Sequence, residues 1–405
     1  MATVHPFSAL RPAPESAARV SAVPYDVVNT EEARRLAGGN PLSFLHVSRP
    51  EIDLPEGMDP HADEVYRRGA ENFETLKREA PLVSDDEPSI YVYRLRVGGH
   101  EQTGIAACCS IDEYDSDVIR KHEKTRRDKE DDRTRHMIDL SAQTGPVFLT
   151  YRDVAAANAL VDAAKIEPPL YDFTAEDGVR HTLWRMKPEP TSALVRSFTD
   201  VPRIYIADGH HRAASASRAR AHFRGLNPGD GNGSNEFDYF LAVLFPASQV
   251  RILPYNRIVR DLNGLTPEEL LARLGKTFTV VENAPASPAR RGEISMYLPG
   301  RWYGLVPREA ASGTLDVTAL QDAVLSQILG VHDIRTDKRI DFVGGGRGTA
   351  ELERIVDSGT GAAAFSLYPV SLDQLMAISD ENEIMPPKST WFEPKLRDGL
   401  LVHLI

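Results

Sequence analysis

Apolar positions along this chain keep two rhythms that alternate from end to end. In "HADEVYRRGAENFETLKREA" (61–80) they recur about every 3.6 residues and predict a helix. "PYDVVNTEEARRLAGG" (24–39) predicts another: Asn29 stands three residues before Glu32, the pairing of a capping box, and Gly38 and Gly39 end it. "SFLHVSRPEIDLP" (43–55) reads as a strand leaving that helix, while "SIYVYRLRV" and "EQTGIAACCSI" read as a hairpin turning at Gly98 and Gly99. Strands are then expected at "GPVFLTYRD", "TLWRM", "RIYIA" and "YFLAVLFPA", with a helix at "DVAAANALVDAA". Further on, "TPEELLARLGKTFTVVE" predicts a capped helix and a strand, "RRGEISMYLPGRWYGLVP" a hairpin, and the stretches from "DVTALQDAVLSQILG" to "GLLVHLI" a return to alternating helices and strands. Two segments stand apart. Residues 112–139 are so densely charged that they predict a long exposed helix, or a helix pair, with mixed-sign pairing on its surface. The glycine-rich segment 225–237 predicts a surface loop.

This alternation places the chain in the α/β (α+β) class, and 405 residues are enough for more than one core. The loop at 225–237 and the restart of pattern after it suggest a first domain over 1–250 and a second over 251–405. Residues 1–24 are proline-rich and irregular, and no internal repeat is present. With 59 acidic against 47 basic residues the formal charge is -12, which repels a phosphate backbone and disfavours nucleic acid as a partner. No apolar run is long enough to span a membrane and the first residues lack the apolar core of a secretory signal, so the cytoplasm is the expected location. The two cysteines, Cys108 and Cys109, are adjacent in an alternating strand and read as buried thiols, too few for a disulfide framework or a thiolate zinc site.

The chemistry concentrates at "RIYIADGHHRAASASRARAHF" (203–223), where an apolar strand turns through Gly209 into an alanine-rich helix. His210, His211 and Arg212 would bring positive charge to the electropositive end of that helix, at a cost of about 0.3–1 kcal/mol each unless something compensates. A bound anion reverses the sign, because helix N–H groups, a guanidinium fork and imidazole donors would converge on phosphate oxygens. Gly209 permits close backbone approach, and Asp208 either caps the helix or handles a metal or a hydroxyl proton. The plainer alternative is a capping Asp208, an Arg212 paired with an acid and partly buried histidines.

The run "IADGHHRAASA" resembles the phosphate-binding box of the ParB and sulfiredoxin-like superfamily, which includes ADP-dependent free serine kinases with a similar Asp-Gly-His-His-Arg. The resemblance implies a mixed-sheet core of that type, with Asp208, Gly209, His210, His211 and Arg212 holding nucleotide phosphates at a helix start. A wider set, "PYDVV", "FLHVSRPEIDLP", "KHEKT", "IADGHHR", "RIDFVGG" and "MPPKSTWFEPKL" in this order, resembles the bacterial family named domain of unknown function 1015, over nearly the whole chain. Members of that family often look like companions of serine biosynthesis.

Other groups are candidates beside the box. In "RKHEKTRRDKEDDR", Glu123 beside His122 is placed to take the proton of an attacking hydroxyl in phosphoryl transfer, with Lys121, Lys124 and Arg126 near phosphate; a solvated charged helix is the competing reading. The zinc-protease pattern fails there, because Arg126 stands where the second histidine is needed. Gly344, Gly345 and Gly346 before Arg347 form either a phosphate nest or a plain strand-to-helix turn. Lys388, Ser389 and Thr390 lie in a proline-bounded loop that reads as a phosphate contact or, through Trp391 and Phe392, as packing. Tyr25 and Asp26 are candidates for substrate binding, Asp26 toward an amine or a magnesium ion, with helix-entry capping as the alternative.

Together these features predict a phosphotransferase working between a nucleotide, ADP or ATP, and a small hydroxyl metabolite such as serine or phosphoserine, with Mg2+ neutralising the developing charge. Glu123, Asp208 and His122 would be its catalytic residues. A non-catalytic nucleotide-binding regulator of ParB-like type is the rival expectation. The sequence names no metal ligands and leaves a homo-oligomer open.

Overall fold

The computed structural model describes residues 1–79, 82–226, 235–309 and 314–405. Residues 1–250 and 394–405 form one compact unit and residues 251–393 a second, so the C-terminal segment belongs with the first.

The first unit is built on a mixed nine-stranded sheet. Its strands are β1 (Val4–His5), β2 (Tyr91–Val97), β3 (His100–Ser110), β4 (Ile119–Arg120), β5 (Val147–Tyr151), β6 (Tyr171–Thr174), β7 (Arg180–Arg185), β8 (Ile204–Asp208) and β9 (Tyr239–Pro246). They run in the order β4-β8-β5-β9-β3-β2-β7-β6, with β1 pairing the end of β3. Two neighbours are parallel, β4 with β8 and β5 with β9; the other pairs are antiparallel. The longer helices are α1 (Thr30–Ala37), α2 (Asp63–Glu79), α3 (Arg127–Leu140), α4 (Ala155–Ala164), α5 (Pro188–Phe198) and α6 (His210–Leu226).

Local chemistry explains most of these elements. The Asn29 side chain accepts from Glu32 N at 2.8 Å and Glu32 returns the bond to Asn29 N at 3.0 Å, so the capping box at α1 is complete. In α2 the buried residues Val65, Tyr66, Gly69, Phe73 and Leu76 keep helical spacing. The β2–β3 hairpin closes with Val97 opposite His100. Alternate residues of the central strands, among them Ile105, Ala107, Leu149, Ile204, Ile206 and Leu244, share one core with Ala157 and Val161 of α4, Leu194 and Phe198 of α5, and Ala213, Ala216 and Ala219 of α6. The alanine face of α6 lets that helix lie close against the sheet. Cys108 and Cys109 are buried and unbridged.

Two expectations are corrected. Residues 43–55 are not a strand: Leu45–Ser48 is a helical turn and Pro50–Asp53 a 3-10 turn, tied by local bonds such as Ser48 N to Phe44 O at 2.9 Å. A short apolar run fits either geometry, and here the proline removes the donor that a strand would need. Nor is 112–139 one exposed helix; it holds the alternative helix pair, but a strand and a loop separate the two and the longer one is partly buried. It breaks into Ile111–Asp115, the strand β4, a loop at 121–126 and α3, whose Asp132, Thr134, His136 and Met137 are buried. The strand β6 and the helix α5 are additional to those expected. Much of the glycine-rich loop expected at 225–237, namely 227–234, lies outside the described residues.

The second unit contains an antiparallel six-stranded sheet of β10 (Tyr255–Val259), β11 (Phe278–Glu282), β12 (Ile294–Leu298), β13 (Arg301–Pro307), β14 (Ile340–Gly344) and β15 (Ala363–Leu367), in the order β11-β13-β12-β15-β10-β14. Helix α7 (Pro267–Leu274) carries the expected capping box from Thr266 to Glu269. Helix α8 (Gly348–Asp357) packs Leu352 and Val356 against Ile258, Val343 and Ala364.

Candidate active site

The parallel pairing of β4 with β8, Ile119 opposite Ile204 and Arg120 opposite Tyr205, decides where the chemistry gathers. Both strands end at the same edge of the sheet, so the loop 121–126 and the segment 208–212 leave side by side. The carboxyl ends of strands in such sheets are where ligand crevices form. The pairing of β8 with β5 slips between Ile206 and Asp208, an extra residue that re-aims the last position of the strand. Gly209 follows with φ +94°, a conformation that L side chains rarely adopt, and α6 starts at once.

Asp208 accepts from Gly209 N at 2.8 Å through one oxygen and from Lys395 Nζ at 2.7 Å through the other. Burial alone would raise its carboxyl, but Lys395, helped by Arg212, holds it well below the usual carboxylate range. The side chain nonetheless keeps 39% of its surface open.

Both histidines of the box receive hydrogen bonds from the backbone of the facing loop. His122 N donates to His210 Nε2 at 3.4 Å, and Arg126 N donates to His211 Nε2 at 3.0 Å. Nitrogens that accept leave the ring proton on Nδ1. Burial, with His122 adjacent, pushes His210 well below the ordinary imidazole range. The apparent clash of positive charge with the helix end is therefore resolved at His210 by neutrality: this imidazole is an acceptor, of a weak bond from the facing loop. His122 stands edge-on to His210, ring centres 4.4 Å apart and planes at 89°. It is buried, and neither ring nitrogen has a hydrogen-bond partner among the described residues. Burial pushes it down to about 4, although the Ile206 backbone and Asp208 both favour its charged form. One donor atom from each of His122, Glu123 and His210 lies within 4.8 Å of the others.

Arg212 points elsewhere. Its Nη1 donates to the Pro146 carbonyl at 2.8 Å, its Nη2 reaches Asp26 Oδ1 at 3.4 Å, and the guanidinium lies over the Tyr25 ring at 5.5 Å. Arg133 covers the same ring at 4.3 Å. Tyr25, Arg133 and Arg212, with His136 and Asp398, line a cavity of about 20 Å³, room for about one water. Burial pushes Asp398 up to about 6 against the pull of Arg212 and Arg133, and its Oδ1 has no partner among the described residues.

Residues 4–324 match a family model described as "Protein of unknown function (DUF1015)". The chain belongs to the DUF1015 family. Among solved structures it is similar to a free serine kinase in complex with AMP, at 15% identity and TM-score 0.37, over 71% of this chain and 86% of that one. It is also similar to a conserved hypothetical protein from Pyrococcus furiosus, at 14% and 0.38, over 74% and 95%, and to SbnI with a C-terminal truncation from Staphylococcus aureus, at 11% and 0.39, over 74% and 87%. No curated protein sequence matches it.

In this DUF1015 protein the fold brings together His122, Glu123, Asp208, Gly209, His210 and His211. Tyr25, Asp26 and Arg212 lie beside them in the cluster under the helix start. Lys388, Ser389 and Thr390 belong to the second unit, where Ser389 Oγ donates to the Pro386 carbonyl at 2.5 Å and Lys388 Nζ lies over Tyr255 at 5.4 Å. The glycine turn there answers to packing: a Cβ on Gly344 would lie 2.6 Å from the Trp391 ring, and one on Gly345 2.7 Å from Leu253. Sequence reasoning missed Lys395, Asp398, Arg133 and His136. The signal for the first two was "EPKLRDG", a charged stretch directly before the apolar C-terminus.

Proposed function

We propose that this chain moves a phosphoryl group between a nucleotide, ADP or ATP, and a small hydroxyl compound of the serine or phosphoserine kind. The observation that carries the reading is the convergence, through the β4–β8 pair, of Glu123 with the N-terminal turn of α6. A helix start offers backbone N–H groups without intrahelical acceptors, suited to phosphate oxygens, and Lys395 adds a cation beside Asp208. Glu123 takes the hydroxyl proton as the new O–P bond forms and the bond from phosphorus to the leaving phosphate oxygen breaks. His211 positions the loop that carries Glu123, with a weaker contact from His210, and Arg212 supports the helix start from beneath. Asp26, whose side chain is 40% exposed, is open to a substrate amine. The donor set does not fit Mg2+, which takes oxygen ligands, because the cluster at Glu123 supplies two imidazoles to one carboxylate; no step is assigned to that ion.

The test is phosphorus NMR on purified protein with serine or phosphoserine and ADP or ATP. Turnover that disappears in Glu123→Gln while nucleotide binding persists supports the reading. Nucleotide binding without turnover on any hydroxyl substrate refutes it in favour of a regulator.

A further inference from the structure

We propose that His122, Glu123 and His210 form a binding site for one divalent transition-metal ion of the zinc, cobalt or manganese type. Two imidazoles and one carboxylate are a borderline donor set that suits these ions. Their donor atoms already lie within 4.8 Å of one another. Ligands sharing one tetrahedral ion at about 2.0–2.2 Å stand about 3.4 Å apart, so small side-chain rotations close the site.

The second observation is His122 itself. It is 2% exposed and both ring nitrogens lack a partner among the described residues, while its ring lies against that of His210. Buried polar atoms are almost always satisfied, so a bare imidazole inside a donor cluster points to a ligand. The 3.4 Å bond from His122 N to His210 Nε2 is long, so an ion competing for that nitrogen displaces little. Three protein ligands leave a further coordination position, and Glu123 is only half-buried, so the fourth ligand comes from solvent or from a phosphate oxygen. One Glu123 oxygen on the ion leaves the other for proton transfer, so this inference stands or falls apart from the proposed reaction.

The full chain, stripped with a chelator and desalted, is titrated with Co2+ and read by visible absorption, then with Zn2+ in competition and with millimolar Mg2+ as the contrast. One Co2+ per chain is expected, displaced by Zn2+ and not by Mg2+. Glu123→Gln and His210→Asn each weaken binding at least tenfold, and His122→Gln does the same; circular dichroism establishes that each variant is folded. Should His122→Gln fail to fold, Glu123→Gln at its half-buried position carries the test alone. Absence of saturable Co2+ or Zn2+ binding, affinity unchanged in the folded variants, or displacement by Mg2+ as effective as by Zn2+ overturns the proposal.

Discussion

Replacing Arg212 by alanine removes the hydrogen bond to the Pro146 carbonyl, the contact with Asp26 and the cation over Tyr25 in one step. Asp26 keeps 40% of its side chain in solvent, so that contact contributes little. The Pro146 carbonyl loses its donor at a cost of about 1–3 kcal/mol. Asp398 is the larger matter. It is buried, and Arg212 is the foremost group holding its carboxyl down against burial. At pH 8 the variant either keeps Asp398 ionised with Arg133 as its remaining cation or protonates it at about 1.4 kcal/mol for each pH unit above its value of about 6, so this term is capped at about 3 kcal/mol. The terms overlap, so the expected total at pH 8 is about 3–5 kcal/mol. At pH 5, below the value of about 6 at which Asp398 titrates, the carboxyl is already mostly protonated and the loss falls to the carbonyl term, about 1–3 kcal/mol. Urea unfolding of the parent, Arg212→Ala, Asp398→Asn and the double variant at both pH values measures this, and the double variant recovers about 1 kcal/mol or more of the loss at pH 8. A loss below about 1 kcal/mol at pH 8, or one that neither Asp398→Asn nor acid reduces, refutes the support role. Arg212 would then return to the phosphate-binding set.

Lys395→Met removes the cation beside Asp208 and should weaken nucleotide binding by about 1.5–3 kcal/mol, the range for a hydrogen bond to a charged group; unchanged affinity by calorimetry removes Lys395 from the site. His211→Ala deprives Arg126 N of its acceptor, so hydrogen exchange in the peptide 121–127 should quicken by roughly twofold to tenfold while β8 is unaffected; equal protection there means that His211 does not anchor the loop. His181 is fully buried and accepts from Arg397 Nε at 3.1 Å, and burial, then Arg397, hold it well below its ordinary value. The unfolded chain therefore binds a proton that the native state refuses: this stability is complete above about pH 6.5 and is lost as pH falls, at up to about 1.4 kcal/mol per pH unit. His181→Gln should flatten the profile between pH 6.5 and 5 by about that slope, and a slope identical to the parent's contradicts the assignment.

How much of this was legible beforehand follows the range over which each force acts. The capping boxes at Asn29 and Thr266, the hairpin at Gly98, the helical stripe of 63–79 and the strand, glycine and helix at 204–226 each depend on residues within a turn or two, so the order of residues determined them. Glu123 and the box from Asp208 to Arg212 were visible as candidates for the same reason, through residue type and local spacing. Tertiary structure decided the rest. His122 meets His210 across 88 residues and Lys395 meets Asp208 across 187, because a two-residue parallel strand pair and the return of the C-terminal segment set those distances, and no local preference does. The charge on His210 was equally hidden: an imidazole is cationic or neutral according to its burial and its neighbours, and those exist only once the sheet has formed.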